Sequence, residues 1–419
     1  MFCRKKIVVL NSVFTKNILR MAGTSVVAVL ISFLSIPLIS RLYSPEDFGN
    51  FQVLLSTIGI FSVISSFKYE MAIVIPKRNK EADAVYSLAL VILMTTTIIF
   101  STLLYVFGKV LLSLLNAQVL EPYVFLMVLA IFFSGLIQVL RYSLIRDGKF
   151  YKLGNNTVLE VAASQGLKIG LGVISPSFIS MFISQVSGYV LAIILAKKYS
   201  TVRMAFSRKR LAFALFKYKK FFIFSTPSVF INNLSLQLPV FLIAKYYGPE
   251  YVGYYILAVK LIEAPLSIVS NSISEVYYKE AVDTYNNLPE YLPELYFNIV
   301  TKLSLFVLIP SVIIFLLAGT IVPVFLGMEW TNVALLMEII IIWKFFEFVN
   351  TPVSTTLTII NEQHIDFLLK LIFSLGLRIA AALLFHGTFD ELLSALVISA
   401  SVYYIIFNFV TYWRVKRIS

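Results

Sequence analysis

Long apolar runs separated by short polar stretches constrain the fold of this 419-residue chain more than any other feature. A helix needs roughly 20 mostly apolar residues to cross a bilayer. Only 14% of the residues are charged, against about 25% in soluble domains, so a water-soluble core could not absorb these runs. The sequence therefore predicts an all-α polytopic membrane protein with about 12 transmembrane helices, at 21–42, 48–67, 83–107, 121–145, 153–174, 177–196, 221–244, 250–275, 298–326, 333–358, 364–385 and 391–413.

The distribution of positive charge predicts the orientation of these helices. If the amino terminus is cytoplasmic, the inside segments contain 27 of the 35 Lys and Arg residues and the outside loops contain three. Short cytoplasmic loops carry such an excess of positive charge, so we expect both termini to be cytoplasmic. The net charge of +13 follows from this asymmetry and does not indicate nucleic acid binding.

A motif that occurs twice, 204 residues apart, predicts two equivalent halves. Residues 41–51 read RLYSPEDFGNF and residues 245–255 read KYYGPEYVGYY, each after the first helix of a six-helix set. Internal duplication is typical of transporters that bind substrate between two lobes. The predicted organisation is a cytoplasmic tail (1–20), an N-lobe (21–196), a basic linker (197–220), a C-lobe (221–413) and a cytoplasmic tail (414–419).

The motif residues themselves are interpreted as structural. Proline suits the first turn of a helix, glutamate complements the positive end of its dipole, and glycine permits close helix contact. The alternative is a functional role in chemistry at the loop. The residues concerned are Tyr43, Pro45, Glu46 and Gly49 in the first copy, and Tyr247, Pro249, Glu250 and Gly253 in the second. The linker 197–220 is either a topology anchor lying against anionic lipid or a site for lipid or a partner.

Charged residues within the predicted helices predict the functional site. A charge at the bilayer centre costs on the order of 2.5–3.5 kcal/mol on insertion scales. Five helices carry polar faces at helical spacing, and we expect them to surround a hydrated cavity in which cations outnumber carboxylates. Such a cavity suits an anionic substrate, with phosphate or diphosphate the obvious class. The cations within helices are Lys168, Lys260, Lys344, Lys370 and Arg378.

Two alternatives stay open for these charges. Lys260 with Glu263, and Lys344 with Glu347, are spaced i,i+3 and could neutralise each other and join helices. Lys370 lies near the inner surface and could extend to the headgroups. Glu160, Glu263 and Glu347 are the candidates for coupling to protons or sodium, because of their predicted depth.

Catalytic signatures are absent from the sequence. There is no nucleotide-binding motif, the two histidines, His364 and His386, lack metal-ligand spacing, and Cys3 is the single cysteine. The longest loops are too short for a catalytic domain. We therefore expect a protein that is not an enzyme and that has no cofactor and no metal site.

Several stretches in order resemble one known family. They are Ser40–Gly49 and Lys68–Ile73 in the first half, and Phe224–Pro227, Gln237–Pro239, Gly248–Glu250, Gly253–Tyr255, Ala258–Lys260 and Ala264–Ser267 in the second. Nearly the whole chain resembles the polysaccharide transporters of the flippase superfamily that includes the multidrug and toxin extrusion proteins, as in bacterial O-antigen and exopolysaccharide flippases. Lys260 stands where family members often have arginine.

The resemblance implies a fold and a function. The fold is two six-helix lobes that open alternately to cytoplasm and periplasm in the bacterial inner membrane. The cargo is a polyprenyl-diphosphate-linked oligosaccharide, moved from the inner to the outer leaflet for O-antigen or other surface polysaccharide. Expected partners are this lipid-linked oligosaccharide, membrane lipids, a polysaccharide polymerase and a chain-length regulator. The candidate substrate contacts are Lys260, Lys344, Arg378, Lys168 and Lys68.

Three other functions compete with a flippase. A multidrug or cation antiporter of the same fold should have an acidic cavity, whereas buried cations outnumber buried acids in this sequence. A glycan polymerase or ligase is disfavoured by the short loops. A membrane scaffold would leave the buried charges without a role.

Overall fold

The computed structural model describes residues 23–204, 206–385 and 387–418. The predicted tail 1–20, His386 and Ser419 lie outside the described residues. Within the described ranges the chain is helical or irregular and contains no β-strand.

The first half contains α1 (Gly23–Ser40), α2 (Pro45–Ile64), α3 (Asn79–Leu114), α4 (Val124–Arg146), α5 (Phe150–Ile174) and α6 (Phe178–Tyr199). The second half contains α7 (Phe221–Tyr247), α8 (Pro249–Asn287), α9 (Leu292–Leu326), α10 (Thr331–Val353), α11 (Gln363–Leu384) and α12 (Phe389–Ile418).

Each of the twelve predicted segments corresponds to one of these helices, so the predicted fold class is confirmed. Eleven helices in the described part of the chain are long and apolar enough to cross a membrane. The remaining helix, α10, has 23 residues and differs from the other eleven in that every 18-residue stretch of it contains three charged residues, Glu338, Lys344 and Glu347. Three short α-helices in the described part of the chain lie outside this set: Tyr69–Ala72 after α2, Arg208–Lys217 between α6 and α7, and Thr356–Ile359 after α10.

Three helices extend well past their predicted ends. α3 has 36 residues, α8 has 39 and α9 has 35. A helix of this length spans about 54 Å, against a hydrocarbon core of about 30 Å. Hydropathy marks the part of a helix that lipid solvates, whereas backbone hydrogen bonding continues into polar flanks such as the start of α3. The sequence therefore predicts the membrane-embedded part of a long helix better than it predicts where the helix begins and ends.

The described residues form two compact units. The first contains the residues up to Tyr43 and Leu54–Phe230, and the second contains Ser44–Val53 and the residues from Ile231 onward. In the first unit α6 packs on α4 and α5, and α3 packs on α4. In the second unit α10 packs against α8, α9 and α12. The division at Tyr43 and Val53 assigns the amino-terminal part of α2 to the second unit.

Contacts between the two motif copies explain this assignment. Helices α2 and α8 begin at Pro45 and Pro249, as the motif predicts. A Cβ atom on Gly49 would overlap the main-chain oxygen of Pro249, and a Cβ on Gly253 would overlap that of Pro45. Each glycine therefore lets the backbone of its helix approach the first residue of the other helix. The two glycines are 204 residues apart, and so are the two prolines. The two contacts are therefore reciprocal, because each motif copy makes the same contact with the other.

Aromatic packing and two tyrosine hydroxyls complete the surroundings of the motif. The ring of Phe48 lies edge-on to that of Trp330, with centroids 5.0 Å apart, and Trp330 is buried. Tyr247 donates a hydrogen bond to the main-chain oxygen of Thr388 at 2.7 Å. In the first unit, Tyr43 donates to the main-chain oxygen of Lys168 at 2.7 Å. Both tyrosines thus join the end of one helix to another part of their own unit.

Remaining motif residues lie at the helix starts. Glu46 is exposed in the first turn of α2. Glu250 lies in the first turn of α8 and accepts a hydrogen bond from the Tyr254 hydroxyl at 2.7 Å. A carboxylate at this position interacts favourably with the helix dipole. The placement agrees with a structural role for these glutamates, which stays a prediction.

Candidate functional site

A cluster of one lysine and two glutamates lies among the spanning helices of the second unit. The ammonium nitrogen of Lys344, on α10, is 2.8 Å from a carboxylate oxygen of Glu347 and 3.6 Å from one of Glu263, on α8. Lys344 is 5% exposed, whereas Glu263 is half-exposed. A buried charge of this kind needs partners, because transfer out of water is costly. The carboxylates of Glu347 and Glu263 therefore both offset the charge of Lys344.

These three residues line a cavity of about 260 Å³. Its walls come from α8 and α10, and the hydroxyl of Ser270, a residue that is 4% exposed, has no hydrogen-bond partner within the described residues. The cavity holds two carboxylates and one ammonium, and so carries a net negative charge. The residues that line it are Glu263, Leu266, Ser267, Ser270, Asn271, Lys344, Glu347, Phe348 and Thr351.

A second buried cation lies nearby in the same unit. Arg378, on α11, is 2% exposed. One of its terminal nitrogens donates to the main-chain oxygen of Ser235, and the Ser235 hydroxyl is 3.3 Å from that nitrogen. The hydroxyls of Ser235 and Ser374 are 2.8 Å apart. No carboxylate within the described ranges lies within ion-pair distance of Arg378, which is the main difference between this cation and Lys344.

The indole of Trp343 joins the two clusters. Its ring centroid is 4.6 Å from the ammonium nitrogen of Lys344 and 5.5 Å from the guanidinium carbon of Arg378. A cation over an aromatic face is attracted by the ring quadrupole. Trp343 thus contributes to the stability of two buried cations. The sequence alone carries only a weak signal for Trp343, since tryptophan is enriched at membrane interfaces whatever its role.

A π-helical turn positions the residues around Arg378. Lys370–Gly376 forms this turn within α11 and contains Ser374. π-Helical turns within α-helices occur frequently at functional sites. Lys370 itself forms an i,i+4 ion pair with Asp366 at 2.7 Å and is 31% exposed. The hydropathy and spacing of α11 carry no signal for the turn, so sequence reasoning missed it.

Lys260 does not form the i,i+3 pair that its spacing offers. The ion pair that the structure gives Glu263 is with Lys344 on another helix. Lys260 forms no salt bridge within the described part of the chain, and it does not line the cavity. The i,i+3 spacing therefore identified Glu263 as a paired residue, but its partner is Lys344 and not Lys260.

The first unit contains a separate polar cluster. Glu160, on α5, accepts a hydrogen bond from Arg141 of α4 at 2.8 Å. Lys168 donates to the side-chain oxygen of Gln185, on α6, at 3.2 Å, and Ser164 donates to the same oxygen at 3.2 Å. The polar face that the sequence predicted on α5 is therefore in contact with α4 and α6.

Arg141 and Gln185 are the residues that sequence reasoning missed in this cluster. Arg141 lies within α4 and within the predicted segment 121–145, but it is not among the candidate residues. The signal available was that α4 has few other charges and ends in a basic stretch. Gln185 carries no charge and lies in a mostly apolar helix beside Ser184, so only its contacts reveal it.

Lys68 lies apart from the other candidate contacts. It follows Phe67 where α2 ends, and both residues have positive φ angles, 47° for Phe67 and 60° for Lys68. Its ammonium nitrogen is 3.4 Å from a carboxylate oxygen of Glu70, which is 2% exposed. Lys68 therefore offsets a buried carboxylate. Within the described residues, no group of three His, Cys, Asp or Glu side chains could hold a metal ion.

Solved structures with this fold are membrane transporters. One is a multidrug resistance MATE family transporter of the MOP superfamily in an inward-facing conformation, with a TM-score of 0.74, 15% identity, and coverage of 93% of this chain and 95% of that one. Another is the lipid II flippase MurJ in an inward closed conformation, with a TM-score of 0.74, 14% identity, and coverage of 95% and 90%. A MOP superfamily transporter from Pyrococcus furiosus gives a TM-score of 0.60 at 15% identity, with 96% of each chain covered.

The chain therefore has the fold of the MOP transporter superfamily and is a multi-pass membrane protein. A family profile described as "Polysaccharide biosynthesis protein" matches residues 38–335. This is well over half of the chain, and the chain belongs to that family. A search of curated protein sequences found no match.

Proposed function

We propose that this protein is a flippase for a polyprenyl-diphosphate-linked oligosaccharide, which it moves from the cytoplasmic to the outer leaflet of a bacterial inner membrane for O-antigen or another surface polysaccharide. Membership of a polysaccharide biosynthesis family and the transporter fold support this proposal. We further propose alternating access as the mechanism. Both termini are cytoplasmic in this proposal, as the charge distribution of the sequence indicates.

The observation that carries the proposal is Arg378. A guanidinium that is 2% exposed in a membrane helix, with no carboxylate within ion-pair distance among the described residues, is available for an anion. Its planar fork can donate two parallel hydrogen bonds to phosphate oxygens. The Ser235 main-chain oxygen and the Trp343 ring hold the guanidinium in place. Lys260 is the second candidate contact for the diphosphate.

Substitutions at Arg378 test this assignment in the strain from which the gene is deleted. Arg378→Gln removes the charge, and we expect lipid-linked repeat units to accumulate inside and surface polysaccharide to be lost. Arg378→Lys keeps the charge but not the fork, so it should restore part of the polysaccharide. Lys370→Gln is the matched control, because Lys370 is balanced by Asp366, and it should leave polysaccharide unchanged. Normal polysaccharide with Arg378→Gln, at equal protein level in the membrane, would contradict the assignment.

Lys344, Lys168 and Lys68 are weaker candidates for the substrate. Lys344 is paired with two glutamates, Lys168 donates to Gln185, and Lys68 is paired with Glu70. The carboxylates offset the charges of Lys344 and Lys68, and the hydrogen bond with the neutral amide of Gln185 occupies one donor of Lys168. We therefore rank these three lysines below Arg378 and Lys260 as contacts.

We propose that the acidic cavity around Lys344 serves ion coupling. Glu263 and Glu347 share one ammonium, so a proton or a sodium ion can bind there without an additional counter-charge. Glu160 is the third candidate, and its pairing with Arg141 makes it the weakest. Glutamine at each position, followed by transport under imposed proton and sodium gradients, tests coupling. We expect Glu347→Gln to remove the response to the gradient, and an unchanged response in all three variants would exclude these carboxylates.

The same cavity is the observation that favours a second function, a cation or multidrug antiporter. Its net negative charge and nearby aromatic rings suit an organic cation. This alternative does not use Arg378, which would repel a cationic substrate. Drug efflux that depends on Glu347 and not on Arg378 would favour the antiporter over the flippase.

A further inference from the structure

The helix between α6 and α7, Arg208–Lys217, is fixed to the first unit by one of its faces. Ala214 and the following Tyr218 are buried there. The ammonium nitrogen of Lys217 is 2.5 Å from a carboxylate oxygen of Glu81, and the Tyr218 hydroxyl donates to the same oxygen at 2.9 Å. The hydrogen bond with Glu81 raises the pKa of Lys217 above its usual value. We call this segment the linker helix.

The opposite face of the linker helix is apolar and cationic. Successive residues of a helix are about 100° apart, so Lys209 and Phe216 project away from Ala214 and Phe213 projects to the side. The side chains of Phe213 and Phe216 are 55% and 70% exposed. Arg208 lies at the edge of this face, Arg210 lies beside the docked face, and both are exposed. Exposed phenylalanines next to arginines are unusual on a surface that meets only water.

The position and charge of the linker helix identify what covers this face. It connects α6, which ends at Tyr199, to α7, which begins at Phe221, and both of these helices are long and apolar enough to span a membrane. The chain between them therefore starts and ends at the bilayer. Residues 197–220 contain nine Lys and Arg and no Asp or Glu. Charge of one sign beside a bilayer is complementary to anionic lipid headgroups.

We infer that the exposed face of the linker helix is a binding surface for anionic phospholipid. Phe213 and Phe216 insert at the boundary between headgroups and acyl chains, and Arg208, Lys209 and Arg210 contact lipid phosphates. The docked face holds the helix on the first unit at the same time. The surface is independent of the substrate assignment, since none of its residues lies near Arg378 in the sequence or belongs to the second unit.

A fluorescent label at position 216 tests this surface in the full-length protein. Cys3 is the single cysteine, so Cys3→Ser with Phe216→Cys gives one labelling position for an environment-sensitive dye. The protein is placed in nanodiscs of phosphatidylcholine alone or with phosphatidylglycerol. We expect a brighter, blue-shifted emission only with phosphatidylglycerol. Because each basic residue contributes about fivefold at an anionic surface, Arg208→Gln with Lys209→Gln and Arg210→Gln should lower the insertion equilibrium about a hundredfold.

The matched control removes three exposed cations elsewhere on the same unit, Lys77→Gln with Arg78→Gln and Lys80→Gln. This control should keep the full response to phosphatidylglycerol. The inference is overturned if emission is the same in both bilayers, or if the control variant loses the response to the same extent. A label that stays in water in both nanodiscs but is shielded in native membranes would assign the surface to a protein instead, and would also overturn it.

Discussion

Two buried cations of the second unit, Lys344 and Arg378, differ in what surrounds them. Lys344 has two carboxylates within ion-pair distance, and Arg378 has a main-chain oxygen and a serine hydroxyl. The sequence identified both residues, because a charge in an apolar segment is conspicuous. The sequence could not rank the two cations as substrate contacts. The pairing of Lys344 with Glu263 on α8 depends on how α8 and α10 are rotated about their axes. Hydropathy contains no information on that rotation.

Removal of the Lys344 charge is expected to destabilise the protein. Lys344→Gln leaves Glu347 and Glu263 without their cation, and breaking a buried ion pair costs about 3 kcal/mol. Lys370→Gln removes a partly exposed i,i+4 pair, which contributes about 0.5 kcal/mol. Thermal unfolding in one detergent should therefore show a much larger decrease in Tm for Lys344→Gln.

A double variant separates pairing from other effects of Lys344. Lys344→Gln with Glu347→Gln removes both charges, so it should recover part of the stability that the single change loses. Equal Tm values for Lys344→Gln and Lys370→Gln would show that Lys344 is not stabilised by the two glutamates.

At the scale of elements, the repeated motif places two helix starts in contact. Its proline and glutamate predicted where α2 and α8 begin, and its glycine predicted a close helix contact. The sequence did not predict that the contact is with the other copy, because a motif repeated 204 residues apart gives no information about its spatial neighbour. The amino-terminal part of α2 therefore belongs to the second unit, whereas the duplication alone would assign all of α2 to the first.

Alanine at Gly49 or Gly253 is expected to disrupt this contact. The added methyl group would overlap the main-chain oxygen of Pro249 or Pro45, and overpacking of this kind costs about 1–3 kcal/mol. Both variants should lower Tm, and they should do so to a similar extent because the contacts are reciprocal.

Gly319, within α9, is the control for these variants. A Cβ atom there meets nothing within 4 Å. Alanine at a helix interior is better than glycine by about 0.5–1 kcal/mol, so Gly319→Ala should raise Tm or leave it unchanged. A decrease for Gly319→Ala as large as that for Gly49→Ala would show that the motif glycines have no special packing role.

At the scale of the whole molecule, local composition predicted the arrangement of helices along the chain. It did not predict which charged residues pair with one another at the candidate site. The twelve apolar segments predicted the twelve helices, since solvation by lipid depends on each segment separately. The polar face of α5 was predicted, but the pairing of Glu160 with Arg141 on α4 was not. The π-helical turn that precedes Arg378 also depends on packing. Contacts between helices are properties of the assembled unit, and they decide which buried charges remain for a substrate.

The central proposal is that this protein moves a lipid-linked oligosaccharide by means of Arg378. The most direct measurement uses purified protein in liposomes and a fluorescent polyprenyl-diphosphate oligosaccharide, with a membrane-impermeant quencher reporting the fraction that reaches the other leaflet. We predict translocation by the native protein and by Lys370→Gln, and none by Arg378→Gln. Equal translocation by Arg378→Gln and the native protein, or none by the native protein while it transports an organic cation, would contradict the account.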